Sequence, residues 1–345
     1  MNVLPRSFLS DNASGVSPEI LAAIARCNDG AVPGYGADPL TAALTERFAA
    51  FFEREVAVFL VATGTAANAL SLAACCPPWG AVLCHRFAHV IRDECGAPEF
   101  YTAGAKLCPV EGEHGRVTTE TLEAAYRGFR LNDPHQTQPG GVSLSQATEA
   151  GTVYPADEIA AIAEWTHARG MKLHMDGARL GNALVSLGIS PAEMTWKAGV
   201  DILSFGATKN GALAAEAIIV FDAALAKDMA YRRKRAGQLL SKSRFFAAQL
   251  LAYLEDDLWR RNASHANEMA RRLADGLAGL PGVSLAHPVE INEVFACLPD
   301  AMAEALRAAG CLFLDWPTAG PGGRRFVTSP ATPAEDVAAL LAAAR

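Results

Sequence analysis

Three short segments of the chain carry side chains suited to gripping a phosphorylated, electrophilic ligand. In Thr63-Gly64-Thr65-Ala66-Ala67-Asn68 a strand-like run meets a glycine turn and then a helix-forming stretch. The unpaired N–H groups of such a first helical turn, with the positive end of its dipole, favour a phosphate. No Gly-Lys-Ser/Thr follows, so this is not the Walker pattern. In Leu173-His174-Met175-Asp176-Gly177-Ala178-Arg179 the strand-like run 171–175 puts Asp176 at a strand's C-terminal end, where open α/β sheets bind ligands. A carboxylate there can keep a pyridine nitrogen protonated. Lys209 follows the apolar strand ending at Ser204-Phe205, in a loop flanked by Gly206 and Gly211. Those glycines let the backbone approach a flat ligand, and the lysine amine can condense with an aldehyde. Taken singly, each segment has a commoner explanation: an N-cap, a helix cap and a solvated lysine.

The elements that must position these groups alternate along the chain. Ser17-Pro18 and Asp38-Pro39 read as N-caps opening helices over 18–27 and 39–53. Strands are predicted at 55–61, 81–84, 99–102, 141–146, 171–175, 200–205 and 216–221, and helices at 156–169, 223–236 and 243–279, the last in one piece or two. The remainder, 283–345, mixes strands near 283–286, 292–298, 311–314 and 325–328 with helical runs. This is an α/β chain: a three-layer α/β/α large domain with a mostly parallel sheet over 1–245, and a small C-terminal α+β domain over 246–345.

Phosphate turn, strand-end aspartate and loop lysine, in that order on an α/β chain, suit pyridoxal 5'-phosphate in a fold-type I enzyme. The chain resembles the threonine aldolases, specifically the low-specificity L-threonine aldolase and phenylserine aldolase branch. The resemblance rests on Ser10-Asp11-Asn12, Tyr35-Gly36-Ala37-Asp38-Pro39, Thr63 to Asn68, Ala88-His89, Asp93 to Phe100, Gln146 to Val153, His174 to Arg179, Phe205 to Gly211 and, more weakly, Arg325-Phe326-Val327-Thr328.

The resemblance implies a role for each matched position. Lys209 would be the Schiff-base lysine, Asp176 would pair with the pyridinium, Gly64 and Thr65 would hold the phosphate, and His89 would stack on the ring. Arg179 and Arg325, with Ser10, would clamp the substrate carboxylate, a task that suits the planar guanidinium fork. Tyr35 would reach a neighbouring subunit's site, and one of Arg232, Arg233 or Lys234 would contact the phosphate across that interface. Many threonine aldolases carry histidine where this chain has Glu149, and the phenylserine-type branch shares the glutamate, which tilts the expected substrate toward bulkier β-hydroxy amino acids. The reaction implied is reversible retro-aldol cleavage to glycine and an aldehyde. His89, His85, Glu149, Glu94 or a water stand open as the base, with His85 read as a strand-end residue outside the chemistry. Another fold-type I reaction and a non-catalytic cofactor-binding protein are the competing readings.

Composition agrees with a small-molecule enzyme. In 345 residues the net charge is −7, which argues against a nucleic-acid surface. The eight cysteines form no CxxC pair and no ligand spacing with histidine, so no metal is expected. His114, His135, His167, His265 and His287 lie outside every motif. The first ten residues lack a leader pattern and no apolar run reaches bilayer length, so a cytoplasmic location is expected. Through Tyr35 and the basic run, the resemblance implies a homo-oligomer, dimer or tetramer, with shared active sites.

Overall fold

A computed structural model describes residues 6–345; residues 1–5, the start of the segment read for a leader, lie outside it. The large sheet has seven strands: β1 Ala57–Val61, β2 Gly80–His85, β3 Lys106–Val110, β4 Gln138–Ser145, β5 Lys172–Gly177, β6 Ile202–Gly206 and β7 Glu216–Val220. Their spatial order is β1-β7-β6-β5-β4-β2-β3, with β7 antiparallel to both neighbours and the other pairings parallel. Central strands β5 and β6 are almost entirely buried, which is why they read as near-continuous apolar runs. Helices cover both faces, as a parallel sheet requires. On one side Phe48, Phe52 and Tyr253 pack edge-on against Phe205; on the other Leu70, Ile202, Ile218 and Met229 close the layer.

A second sheet is built from the C-terminal part: β8 Ser284–Leu285, β9 Glu293–Cys297, β10 Leu314–Asp315 and β11 Gly323–Val327, in the order β10-β11-β9-β8, all antiparallel. The helix Leu258–Ala278 gives this sheet's core Met269, Leu273 and Leu277, while its first turn sends Trp259 into the large core. The N-terminal segment docks on this part too, in a separate two-stranded sheet. Arg6–Ser7 pairs in parallel with Cys311–Leu312, and Phe8 is fully buried against Phe326. That strap delivers Ser10-Asp11-Asn12 to the seam between the two sheets.

Two expectations fail locally. Residues 99–102 are not a strand: left-handed Gly96 and Pro98 start a helix over Ala97–Tyr101, overriding the strand preference of Phe100, Tyr101 and Thr102. The strand comes at Lys106–Val110, disguised by Pro109, which an edge strand tolerates because one side of its ladder is unused. The helix expected over 223–236 is two, Ala223–Ala226 and Met229–Arg235, and the break lets Met229 bury fully against β1 and β6. The helix over 243–279 likewise divides, into Arg244–Leu254 and Leu258–Ala278.

Candidate active site

The C-terminal ends of β4, β5 and β6 bring Ser145, Asp176 and Ser204 into register. Above them opens a cavity of about 310 Å³ lined by Gly64, Thr65, His89, Glu149, Asp176, Arg179 and Lys209, with Asn12, Asn68, Thr208 and Glu216 among its other walls. Seven separately expected residues therefore meet at one point. Three do not line it. Ser10 caps the short turn Asp11–Ala13 through Asn12 N–H at 3.1 Å, and Arg325 is bonded to Glu293 Oε1 at 2.9 Å. Tyr35, at 56% exposure, sits away from the cavity under Lys234.

Each wall is fixed by local chemistry. Thr63 caps the helix Gly64–Cys75, its hydroxyl accepting Ala66 N–H at 3.1 Å. A Cβ on Gly64 would meet nothing within 4 Å, so open space lies before the helix's free N–H groups. The lysine loop is tied down from behind. Asn210 donates to the Tyr253 hydroxyl and the Trp259 carbonyl, both at 2.8 Å, and Ser17 N–H reaches Gly211 O at 2.9 Å. Ser17 was expected to cap its own helix, but its hydroxyl instead accepts from Asn262 beside this loop. Gly211 has φ +105°, and a Cβ there would lie 2.3 Å from the Ser17 hydroxyl, so only glycine fits. Gly206 similarly allows the lysine strand to pass Ala178, whose Cα would be 2.7 Å from an added Cβ.

Asp176 is buried and oriented. Its Oδ2 accepts from Asn68 at 2.8 Å and its Oδ1 accepts Ala178 N–H at 3.0 Å. The same Asn68 amide donates to Glu94 Oε1 at 2.8 Å, and Glu94 Oε1 also meets His89 Nδ1 at 2.8 Å. His89, Glu94 and Asp176 thereby bring ligand-type atoms within 4.8 Å of one another. This hydrogen-bonded line serves orientation: the bond to Glu94 raises the His89 pKa, while burial raises that of Glu94. Asn68 was assigned no role from the sequence, and Glu94, one of the open candidates for the base, is instead bonded to both Asn68 and His89; both residues lie inside matched segments.

The candidate bases separate. His85 Nδ1 accepts Phe87 N–H at 3.2 Å, which places its proton on Nε2, facing Gly112 O at 3.1 Å. Both nitrogens are occupied and burial lowers its pKa, so His85 is structural. His174, in the matched segment before Asp176, sits between the Ser143 and Ser204 hydroxyls at 2.9 and 3.0 Å, and burial lowers it to about 4. Glu149 differs from both. Its Oε1 accepts His89 N–H and the Ser145 hydroxyl, each at 2.7 Å, but its Oε2 is buried without a partner. Burial, with the Asp176 charge adding to it, pushes this carboxyl up to about 7. Glu216, unremarked in the sequence, starts β7 opposite Gly206 and Val61 and accepts Thr208 N–H at 3.3 Å. Burial lifts it to about 7 as well, against the opposing pull of the Thr208 bonds and Lys209.

The donors fit pyridoxal 5'-phosphate on three counts. An open helix start faces the cavity for the phosphate, an oriented carboxylate stands ready for a ring N–H, and the Lys209 amine lines the same cavity. Fold and site together define the fold-type I class, and aspartate aminotransferases of Rhodobacter sphaeroides and Thermus thermophilus, 18% and 17% identical, share the fold at a TM-score of 0.71. The model of the beta-eliminating lyase family matches residues 7–301. The low specificity L-threonine aldolase of Pseudomonas aeruginosa is 48% identical over 335 residues, 97% of this chain and 96% of that protein. One from another Pseudomonas is 45% identical over 324 residues, covering 94% and 92%. The structure of Leishmania major threonine aldolase superposes with a TM-score of 0.92 at 29% identity, over 99% of this chain and 98% of that one. The chain belongs to the threonine aldolase family, within the beta-eliminating lyases. Enzymes of this family work with pyridoxal phosphate.

Proposed function

We propose that this protein cleaves β-hydroxy-α-amino acids such as L-threonine, L-allo-threonine or phenylserine reversibly to glycine and an aldehyde, with pyridoxal 5'-phosphate on Lys209. The observation that carries the reading is the meeting of Lys209, Asp176, the Gly64-Thr65 turn and the unpaired Glu149 carboxyl in one cavity. When bound, the cofactor supplies the electron sink for breaking Cα–Cβ. Asp176 would hold a proton at the ring nitrogen, with Asn68 and Ala178 fixing its two oxygens. His89, steadied by Glu94, would pack against the ring. Arg179 would bind the α-carboxylate and so orient the amino acid for cleavage at Cα–Cβ. Glu149 takes the β-hydroxyl proton, a task its pKa of about 7 suits at neutral pH.

We further propose a homo-oligomer with shared sites. Tyr35 is held at φ +58° by its N–H bond to Ser241 O, with Lys234 Nζ 5.1 Å from its exposed ring, a posture suited to reaching a neighbour. Of the basic run, Arg233 is turned inward, its guanidinium 5.6 Å from the Phe59 ring. No helix among the described residues is long and apolar enough to cross a membrane.

The test is product analysis. The purified yellow protein incubated with L-threonine or phenylserine should yield glycine and acetaldehyde or benzaldehyde, and the reverse condensation should give a chiral adduct. A keto acid and ammonia from the same substrates would instead establish β-elimination, and a colourless protein would remove the cofactor reading altogether.

A further inference from the structure

Glu293, on β9, is 2% exposed and has two guanidinium groups as neighbours. Its Oε1 accepts Arg325 Nε at 3.1 Å and Nη2 at 2.9 Å. Its Oε2 lies 3.1 Å from Arg179 Nη1, an ion pair short of hydrogen-bond alignment. Beyond Arg179 stands Asp11, which takes Arg179 Nε at 2.7 Å and Nη2 at 3.1 Å and is itself held by Asn292 at 3.0 Å. Charges thus alternate along Asp11, Arg179, Glu293 and Arg325. The pattern crosses from the N-terminal strap through the large sheet's strand end to the small sheet. Each guanidinium carries five N–H donors and spends only some of them here, so both keep donors for an incoming carboxylate.

Without Glu293, two like charges would face each other in a nearly dry seam, where repulsion is poorly screened. Arg179 would stay, since Asp11 grips it side-on. Arg325 would leave, because its other close neighbour is the face of Trp316, 5.0 Å from the guanidinium carbon. A carboxylate would then have to draw the second arginine back against its freed side-chain entropy. Removing Glu293 also raises the local positive potential. That gain sits on the arm that moves away, so loss of position outweighs it.

We propose that Glu293 is a positioning residue for carboxylate recognition, holding Arg179 and Arg325 together as a preformed double fork for the α-carboxylate of the amino acid and of glycine. This rests on the reaction proposed above. The test uses holoenzyme of wild type, Glu293→Gln, Arg325→Gln and the double variant, reading glycine Kd from the cofactor's absorbance and KM and kcat with L-threonine. Glu293→Gln should raise glycine Kd and KM about tenfold with kcat within about twofold, and the double variant should be no worse than Arg325→Gln alone. Glu293→Asp, which keeps the charge, should recover part of the affinity and serves if the glutamine variant folds poorly. Unchanged or tighter glycine binding in Glu293→Gln, or multiplicative losses in the double variant, would overturn the proposal. A wild type that binds glycine without cleaving threonine would instead sink the aldol reaction and leave the role of Glu293 to be judged on glycine binding.

Discussion

Apart from Asp176 and Glu94, the buried or half-buried carboxyls Asp11, Glu293, Glu149 and Glu216 around the cavity fall into two contrasting settings. On the arginine side, Asp11 and Glu293 each touch a guanidinium. Burial works against the Asp11 charge, yet Arg179 and Lys209 hold its pKa below the ordinary carboxylate range, and Arg179 is correspondingly raised. On the opposite side, Glu149 and Glu216 have hydrogen-bond donors but no bonded cation, and both rise to about 7. Burial is common to all of them. What differs is the counter-charge: it holds Asp11 as an anion that binds and orients, whereas Glu149 and Glu216, without a bonded cation, can trade a proton near neutral pH.

The sharpest way to break this contrast is Glu149→Gln, which keeps the bonds from His89 N–H and Ser145 but cannot take a proton. Its kcat for cleavage should fall by ~10²–10⁴-fold, the range for a general base. The wild-type rate should climb with pH through about 7 and this limb should vanish in the variant. A variant with wild-type rate and pH profile would leave the base to His89 or water. On the paired side, Asp11→Asn leaves Arg179 buried beside half its anions and should cost about 3–5 kcal/mol in urea unfolding at neutral pH, unlike an exposed ion pair. A loss below 1 kcal/mol, roughly a surface pair's worth, would mean water reaches the ladder.

Smaller, and of opposite sign, is the effect of Glu216→Gln. A folded-state pKa of about 7 above an ordinary value of 4.5 means that the folded chain binds the proton more tightly. The stability this contributes is complete below about pH 4.5 and is lost as pH rises to about 7. Above that, the wild type bears a buried anion that the glutamine variant does not. Glu216→Gln should therefore gain on the order of 1–3 kcal/mol at pH 8 and nothing at pH 4, as read from thermal unfolding at the two pH values. An equal shift at both would show that its charge is not what matters.

Much of the site was legible because its parts are local. A strand ending in Asp176, a capped turn at Thr63 and a glycine-flanked Lys209 are each specified within a dozen residues, and the parallel sheet lines their ends up. Asn68 and Glu94 were within matched segments, but their bond to each other across 26 positions is invisible in a linear reading. Glu216 gave no signal, since a glutamate opening an apolar strand reads as an exposed end until β1 and β6 close on both sides of it. Glu293 was hidden in the same way inside a strand-like run of the small sheet.

Residue types and their short-range pattern by themselves determined the α/β class, which follows from hydrophobic periodicity, and the matched motifs carried the resemblance to the family. They also brought forward Lys209 and Asp176 as the candidates for cofactor chemistry, because the geometry of each motif is set by the chain next to it. Only the tertiary structure decided which histidine has both ring nitrogens occupied, which carboxyls are paired, and that Arg325 is tied to Glu293. The physical reason is that charge state and donor availability depend on what lies across space within a few ångströms, and those neighbours come from segments as distant as Asp11 and Asn292.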